Sequence, residues 1–85
     1  MASYSLYIKP SAGKELEALP AKDRQRIVAR IQALADEPRP AGYEKLSGDE
    51  KYRVRQGPYR VLYTVDDGAR EVVVVKIGHR REVYR

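Results

Sequence analysis

Residues 51–77, KYRVRQGPYRVLYTVDDGAREVVVVKI, hold three apolar-rich runs separated by two turn signals, and their reading decides the fold. In residues 51–55 Tyr52 and Val54 point to one side and Arg53 and Arg55 to the other, the period of a strand with one wet face. Gly57-Pro58 marks a turn. Residues 59–65 alternate again, and Asp66-Asp67-Gly68 is a hairpin signal. Residues 71–77 contain four consecutive valines, which predicts a central strand covered on both faces. The C-terminal half therefore reads as three antiparallel strands.

Working outward, Tyr4, Leu6 and Ile8 alternate along an N-terminal strand that Pro10 ends, because proline lacks a ladder donor. Ser11 is read as the N-cap of a helix reaching Leu19, with Ala12, Leu16 and Leu19 on one face. Pro20 breaks it and suits the first turn of a second helix. Ile27, Ile31 and Leu34, with Val28 and Ala35 beside them, form that helix's apolar stripe. It stops near Asp36, ahead of Pro38 and Pro40. Residues 38–50 read as a connection, with Leu46 as its anchor into the core. The class is α+β: an N-terminal strand, a two-helix hairpin, then three antiparallel strands, all in one domain spanning 1–85, with the helices against an antiparallel sheet.

Composition narrows the functions. An 85-residue chain has a thin core, yet 42% hydrophobic residues exceed what a disordered chain carries. There is no cysteine, which removes disulfides and thiolate metal sites and accords with a reducing, cytoplasmic setting. The longest apolar run, residues 72–75, is far short of a membrane span, and no secretory segment is evident. Seventeen Lys+Arg against twelve Asp+Glu give +5, and the excess is uneven. Residues 51–63 hold Lys51, Arg53, Arg55 and Arg60 with no acid; residues 76–85 hold Lys76, Arg80, Arg81 and Arg85 against Glu82 alone. A polarised basic half suits a polyanion or an acidic protein.

Two constellations carry chemistry. Arg53 and Arg55 share a strand face, and the short turn brings Arg60 close to them. Such a cluster is destabilising unless an anion sits within it, and guanidinium groups hold phosphate bidentately while staying protonated. The tail His79-Arg80-Arg81-Glu82-Val83-Tyr84-Arg85 adds an imidazole, guanidiniums and a phenol at a strand end. His79 is the one imidazole, the side-chain type suited to proton transfer near neutrality, and Tyr84 can stack on a base or exchange a proton. One histidine and scattered carboxylates lack zinc-ligand spacing, so no cofactor is expected. RNA can be cut without metal, because its 2′-hydroxyl attacks the adjacent phosphate. The protein then orients the attack, stabilises the developing charge and protonates the leaving oxygen.

The stretches KLSGDEKYRVRQGPYRVLYTVDDG and VVVVKIGHRREVYR resemble the RelE branch of the RelE/ParE toxin superfamily. The resemblance covers essentially the whole chain and rests on Leu46 before the first basic strand, the Tyr59-Arg60 pair and the terminal Gly-His-Arg-Arg-Glu-Val-Tyr. It implies a RelE-like, microbial RNase-type fold and a ribosome-dependent mRNA endoribonuclease that cleaves A-site codons. It places catalytic roles on Arg60, Arg80 and Tyr84, and substrate binding on Arg53 and Arg55, with Lys51, His79 and Arg81 adjoining them. In the best-studied branch the two strand positions are lysines; arginine cannot give up a proton there, so any base duty moves to Tyr84 or His79. The implied partners are a RelB-like, acidic, partly disordered antitoxin, the 70S ribosome and its A-site mRNA. The same superfamily implies the alternative of a ParE-like toxin that binds and poisons DNA gyrase. A basic sheet that binds RNA without cutting it is a third reading.

Overall fold

The computed structural model describes residues 4–46 and 51–79. Their order is β1 (Ser5–Ile8), α1 (Pro10–Glu17), α2 (Ala21–Asp36), β2 (Glu44–Lys45), β3 (Lys51–Gln56), β4 (Tyr59–Asp66) and β5 (Glu71–His79). The strands form one sheet in the order β1-β5-β4-β3-β2, with both helices packed on one face. The expected α+β architecture is present.

Several local expectations are corrected. Pro10 starts α1 and Lys9 occupies the cap, because proline's fixed φ suits the first helical position better than Ser11 suits a cap. Pro20 is the N-cap of α2 rather than its first residue. The sheet is mixed: β1 runs parallel to β5, while the other pairs are antiparallel. Between β1 and β5 the chain runs through both helices and then β2, β3 and β4, so no hairpin constrains their relative direction, whereas the short C-terminal turns force antiparallel neighbours. Within residues 38–50 lies β2, a two-residue edge strand. The connection is anchored by buried Pro38, while Leu46 is only partly buried.

β4, not β5, is the middle strand, and β5 is fully buried on one side only. Val72, Val74 and Ile77 enter the core, whereas Val73 and Val75 are partly exposed. The valine run breaks alternation because of a bulge. Pairing passes from Leu62↔Lys76 to Tyr63↔Val74, leaving Val75 as the extra residue. Ile77 thereby faces the core together with Val74, three positions earlier. Beyond the reach of β1, the Ile77 N–H donates to Glu15 Oε1 at 3.1 Å, so a carboxylate from α1 satisfies the sheet edge.

Ile27, Ile31 and Leu34 of α2 and Ala12 and Leu16 of α1 meet Tyr52, Val54, Val61, Tyr63, Val72, Val74 and Ile77 in the core. Tyr63 is fully buried, and its hydroxyl donates to the Pro38 carbonyl at 2.6 Å. Burial pushes its phenol up to about 12, so it stays protonated as that donor. A polar clamp closes the same side. Arg39 donates twice to Asp67, at 2.9 and 3.1 Å, and once to the Tyr52 hydroxyl at 3.2 Å, while the Tyr4 hydroxyl donates to Asp67 at 2.7 Å. The clamp ties the α2–β2 connection to the β4–β5 hairpin and to the entry of β1. In that hairpin Arg70, not a glycine, takes the left-handed conformation, at φ 55°.

Two outcomes follow for stability. Tyr63→Phe leaves the buried Pro38 carbonyl without its donor and should cost about 1–3 kcal/mol in urea unfolding. The Arg39 guanidinium, and then the Tyr4 hydroxyl, hold the Asp67 carboxyl below the usual carboxylate range. A depressed folded-state pKa contributes stability above the unfolded value, near 3.9 for a free Asp, that is lost as pH falls through the folded value. Acid titrations of wild type and Asp67→Asn should therefore differ most above pH 4 and converge below it; parallel curves would show that the clamp contributes nothing.

Candidate nucleic-acid interface

Residues paired across neighbouring strands share a sheet face. Lys51 pairs with Thr64, Arg53 with Leu62 and Arg55 with Arg60, and Arg60 pairs in turn with Gly78. Their chain neighbours Tyr52, Val54 and Val61 fill the core, so Lys51, Arg53, Arg55 and Arg60 lie together on the face turned away from the helices. The alternation within β3 and the tight turn at Gly57, whose φ is +59°, produce this cluster. Leu62 belongs to the same face. It is 6% exposed yet stands outside the core cluster, giving the basic surface an apolar floor. Arg60 is partly buried rather than fully exposed, as its place beside Leu62 in the middle strand requires.

Glu44 is the residue that sequence reasoning missed. It pairs with Arg53 in the β2–β3 ladder and accepts from the Arg53 guanidinium, while its other oxygen lies 3.3 Å from the Arg55 guanidinium. The like-charged cluster thus contains an anion of its own. The signal for it was slight, because two residues after a Pro-Ala-Gly turn do not make a recognisable strand. The Arg53 side chain is 15% exposed and that of Arg55 57%, so Arg55 is the more accessible to a ligand.

The structure separates His79 from this cluster. His79 pairs with Tyr59, and the two rings meet edge-on at 6.2 Å between centroids. Both border an open cleft with Glu15, Leu19 and Ile77, on the helix side, and the Tyr59 hydroxyl donates to Asp23 at 3.1 Å. The bulge at Val75 is the cause. With uninterrupted alternation from Val72 and Val74, His79 would have shared the face of Arg60. Arg80, Arg81 and Tyr84 lie outside the described residues. Among the described residues no three His, Asp or Glu side chains come together as a metal site. Nor is any described helix long and apolar enough to cross a membrane.

The interface is thus a sheet face carrying three arginines and a lysine around an apolar floor, suited to holding a phosphate backbone against an aliphatic surface. Comparison with known proteins agrees with the architecture. The family model for the ParE toxin of the type II toxin–antitoxin system parDE matches residues 6–84. Toxin RelG of Mycobacterium tuberculosis is 30% identical over 86 aligned residues, covering 96% of this chain and 97% of that protein. Among solved structures, the archaeal RelE–RelB complex from Pyrococcus horikoshii aligns with a TM-score of 0.83 at 29% identity, covering 94% of this chain and 98% of the matched one. The RelBE2 toxin–antitoxin complex of Mycobacterium tuberculosis aligns at 0.81 with 27% identity, covering 92% and 99%. On this match of sequence and fold, the chain belongs to the RelE/ParE family of toxins from type II toxin–antitoxin systems.

Proposed function

We propose that this toxin is a metal-independent, ribosome-dependent mRNA endoribonuclease, acting as one domain in the cytoplasm and stopping translation by cutting codons in the A site. The observation that carries the reading is the placement of Arg53, Arg55 and Arg60 on one sheet face with Lys51 beside them. The arginines hold the RNA backbone about the scissile phosphate. The 2′-hydroxyl attacks that phosphate, its proton passes to Tyr84 acting as the phenolate, and the bond to the 5′-oxygen of the next nucleotide breaks to leave a 2′,3′-cyclic phosphate and a 5′-hydroxyl that takes its proton from water. Arg60 and Arg80 stabilise the pentacoordinate charge, and Arg80 assists the leaving oxygen. Fixed cations aimed at developing charge are the largest available source of rate here. Arg81 contributes to RNA binding. That His79 sits across the sheet from Arg60 supports giving the proton transfer to Tyr84.

The matched solved structures include toxin–antitoxin complexes, which supports a cognate, RelB-like antitoxin as the resting partner. An acidic, partly disordered segment that folds on the toxin suits this +5 surface. The second reading, gyrase poisoning, is favoured by the ParE name of the matching family model. Primer extension on a translated message after induction separates the two. Codon-phased cuts are expected; gyrase-linked DNA breaks with an intact message would establish the alternative.

Arg60→Ala removes a charged contact worth about 1.5–3 kcal/mol and should strongly reduce toxicity with the fold retained. Growth arrest at the wild-type level by a folded Arg60→Ala protein would remove Arg60 from the site. In single-turnover cleavage of ribosome-bound message, Tyr84→Phe should lose about 10²–10⁴-fold, the usual worth of a general acid or base. His79→Gln should lose less than about tenfold. A reversed ranking would transfer the proton to His79.

A further inference from the structure

Glu44 has a place in the fold that its chemistry explains. The residue lies on an edge strand of two residues, paired through Glu44↔Arg53 and Lys45↔Tyr52 and bordered on one side only, by β3. Gly42, at φ +88°, turns the chain into this strand, and the Leu46 N–H donates to the Lys51 carbonyl at 2.9 Å. This geometry sets the Glu44 side chain on the outer face, directly opposite Arg53 and diagonal to Arg55. Its two oxygens are divided between the two guanidiniums, and its side chain remains 46% exposed. A carboxylate and a phosphodiester each carry one negative charge and offer guanidinium the same pair of acceptor oxygens. Partly exposed pairs are weak and exchangeable, and a two-residue edge strand is a low-stability element.

We infer that Glu44 is a built-in competitor for the phosphate site: in the free toxin its carboxylate occupies Arg53 and Arg55, and an RNA backbone enters by displacing it. The inference rests on the reading of those arginines as phosphate holders and adds how the site is regulated. Holding Arg53 and Arg55 around an internal anion relieves their mutual repulsion before substrate arrives. It also lowers affinity for stray polyanions, because a phosphate must exchange for a carboxylate rather than simply add. A ligand presenting several phosphates in register overcomes this exchange more readily than a single anion.

The test is binding of a labelled single-stranded RNA oligonucleotide by fluorescence anisotropy across a salt series, using wild type, Glu44→Gln, Glu44→Ala and Arg55→Ala. Removing the carboxylate should tighten binding about tenfold at low salt, the scale of one charge-assisted contact. One additional phosphate would then be neutralised without exchange, so the slope of log K against log salt should steepen by about 0.7. Unchanged or weaker affinity in both Glu44 variants, with Arg55→Ala weakened, would overturn the competitor role and leave the phosphate role standing. Wild-type affinity in Arg55→Ala would overturn both.

Discussion

The pairing of β4 with β5 has to satisfy two faces at once. β4 is bordered on both edges, so its alternating side chains must supply the core with Val61 and Tyr63 and the outer face with Arg60 and Leu62. Its partner cannot do the same by unbroken alternation, which would turn Lys76 into the core and Ile77 out of it, and the extra residue at Val75 resolves the conflict. One side of the bulge delivers Val72 and Val74 to the helices; the other delivers Ile77. Every later placement on β5 inherits that change of phase, including which side of the sheet His79 occupies.

The small size of the domain explains how polar groups are used. With a thin core, a single buried hydroxyl and a surface clamp take on positional work that a larger protein would leave to apolar packing. Tyr63 fixes Pro38, and Arg39 then reaches Asp67 and Tyr52, so the connection after α2 is held at two successive points. From there the chain turns at Gly42 and presents Glu44 to the arginines. The clamp and the basic face are thus linked by a few residues of backbone, one locating the strand and the other using it.

Charge on the outer face is arranged as a cluster with its own counter-ion rather than as a dispersed solubilising surface. Directly opposed Arg55 and Arg60 are an unfavourable pair in isolation. Glu44 offsets part of that repulsion, and Leu62, cross-strand from Arg53, adds a buried apolar side chain to the same face. An internal counter-ion keeps such a cluster compatible with a folded free protein.

Much of this was legible from residue order. Period-2 alternation identified β3 and β4 and put Arg53 and Arg55 on one side, and the Ile27-Ile31-Leu34 stripe identified α2 and its buried face. These signals are local, set by the geometry of a strand or helix alone. The parallel pairing of β1, the two-residue β2, the anchoring by Pro38, the Glu44 contact and the side of the sheet taken by His79 were not legible. Each depends on which distant segment arrives alongside: β1 meets β5 only after the chain has passed through both helices and β2 to β4, β2 exists because β3 offers an edge, and His79 turns inward because the β4–β5 ladder carries a bulge. The sequence by itself determined the two helices, the four longer strands and the basic character of one strand face. Only the tertiary structure decided which residues meet on that face, because strand register and bulges are properties of a pair of strands and not of either one alone.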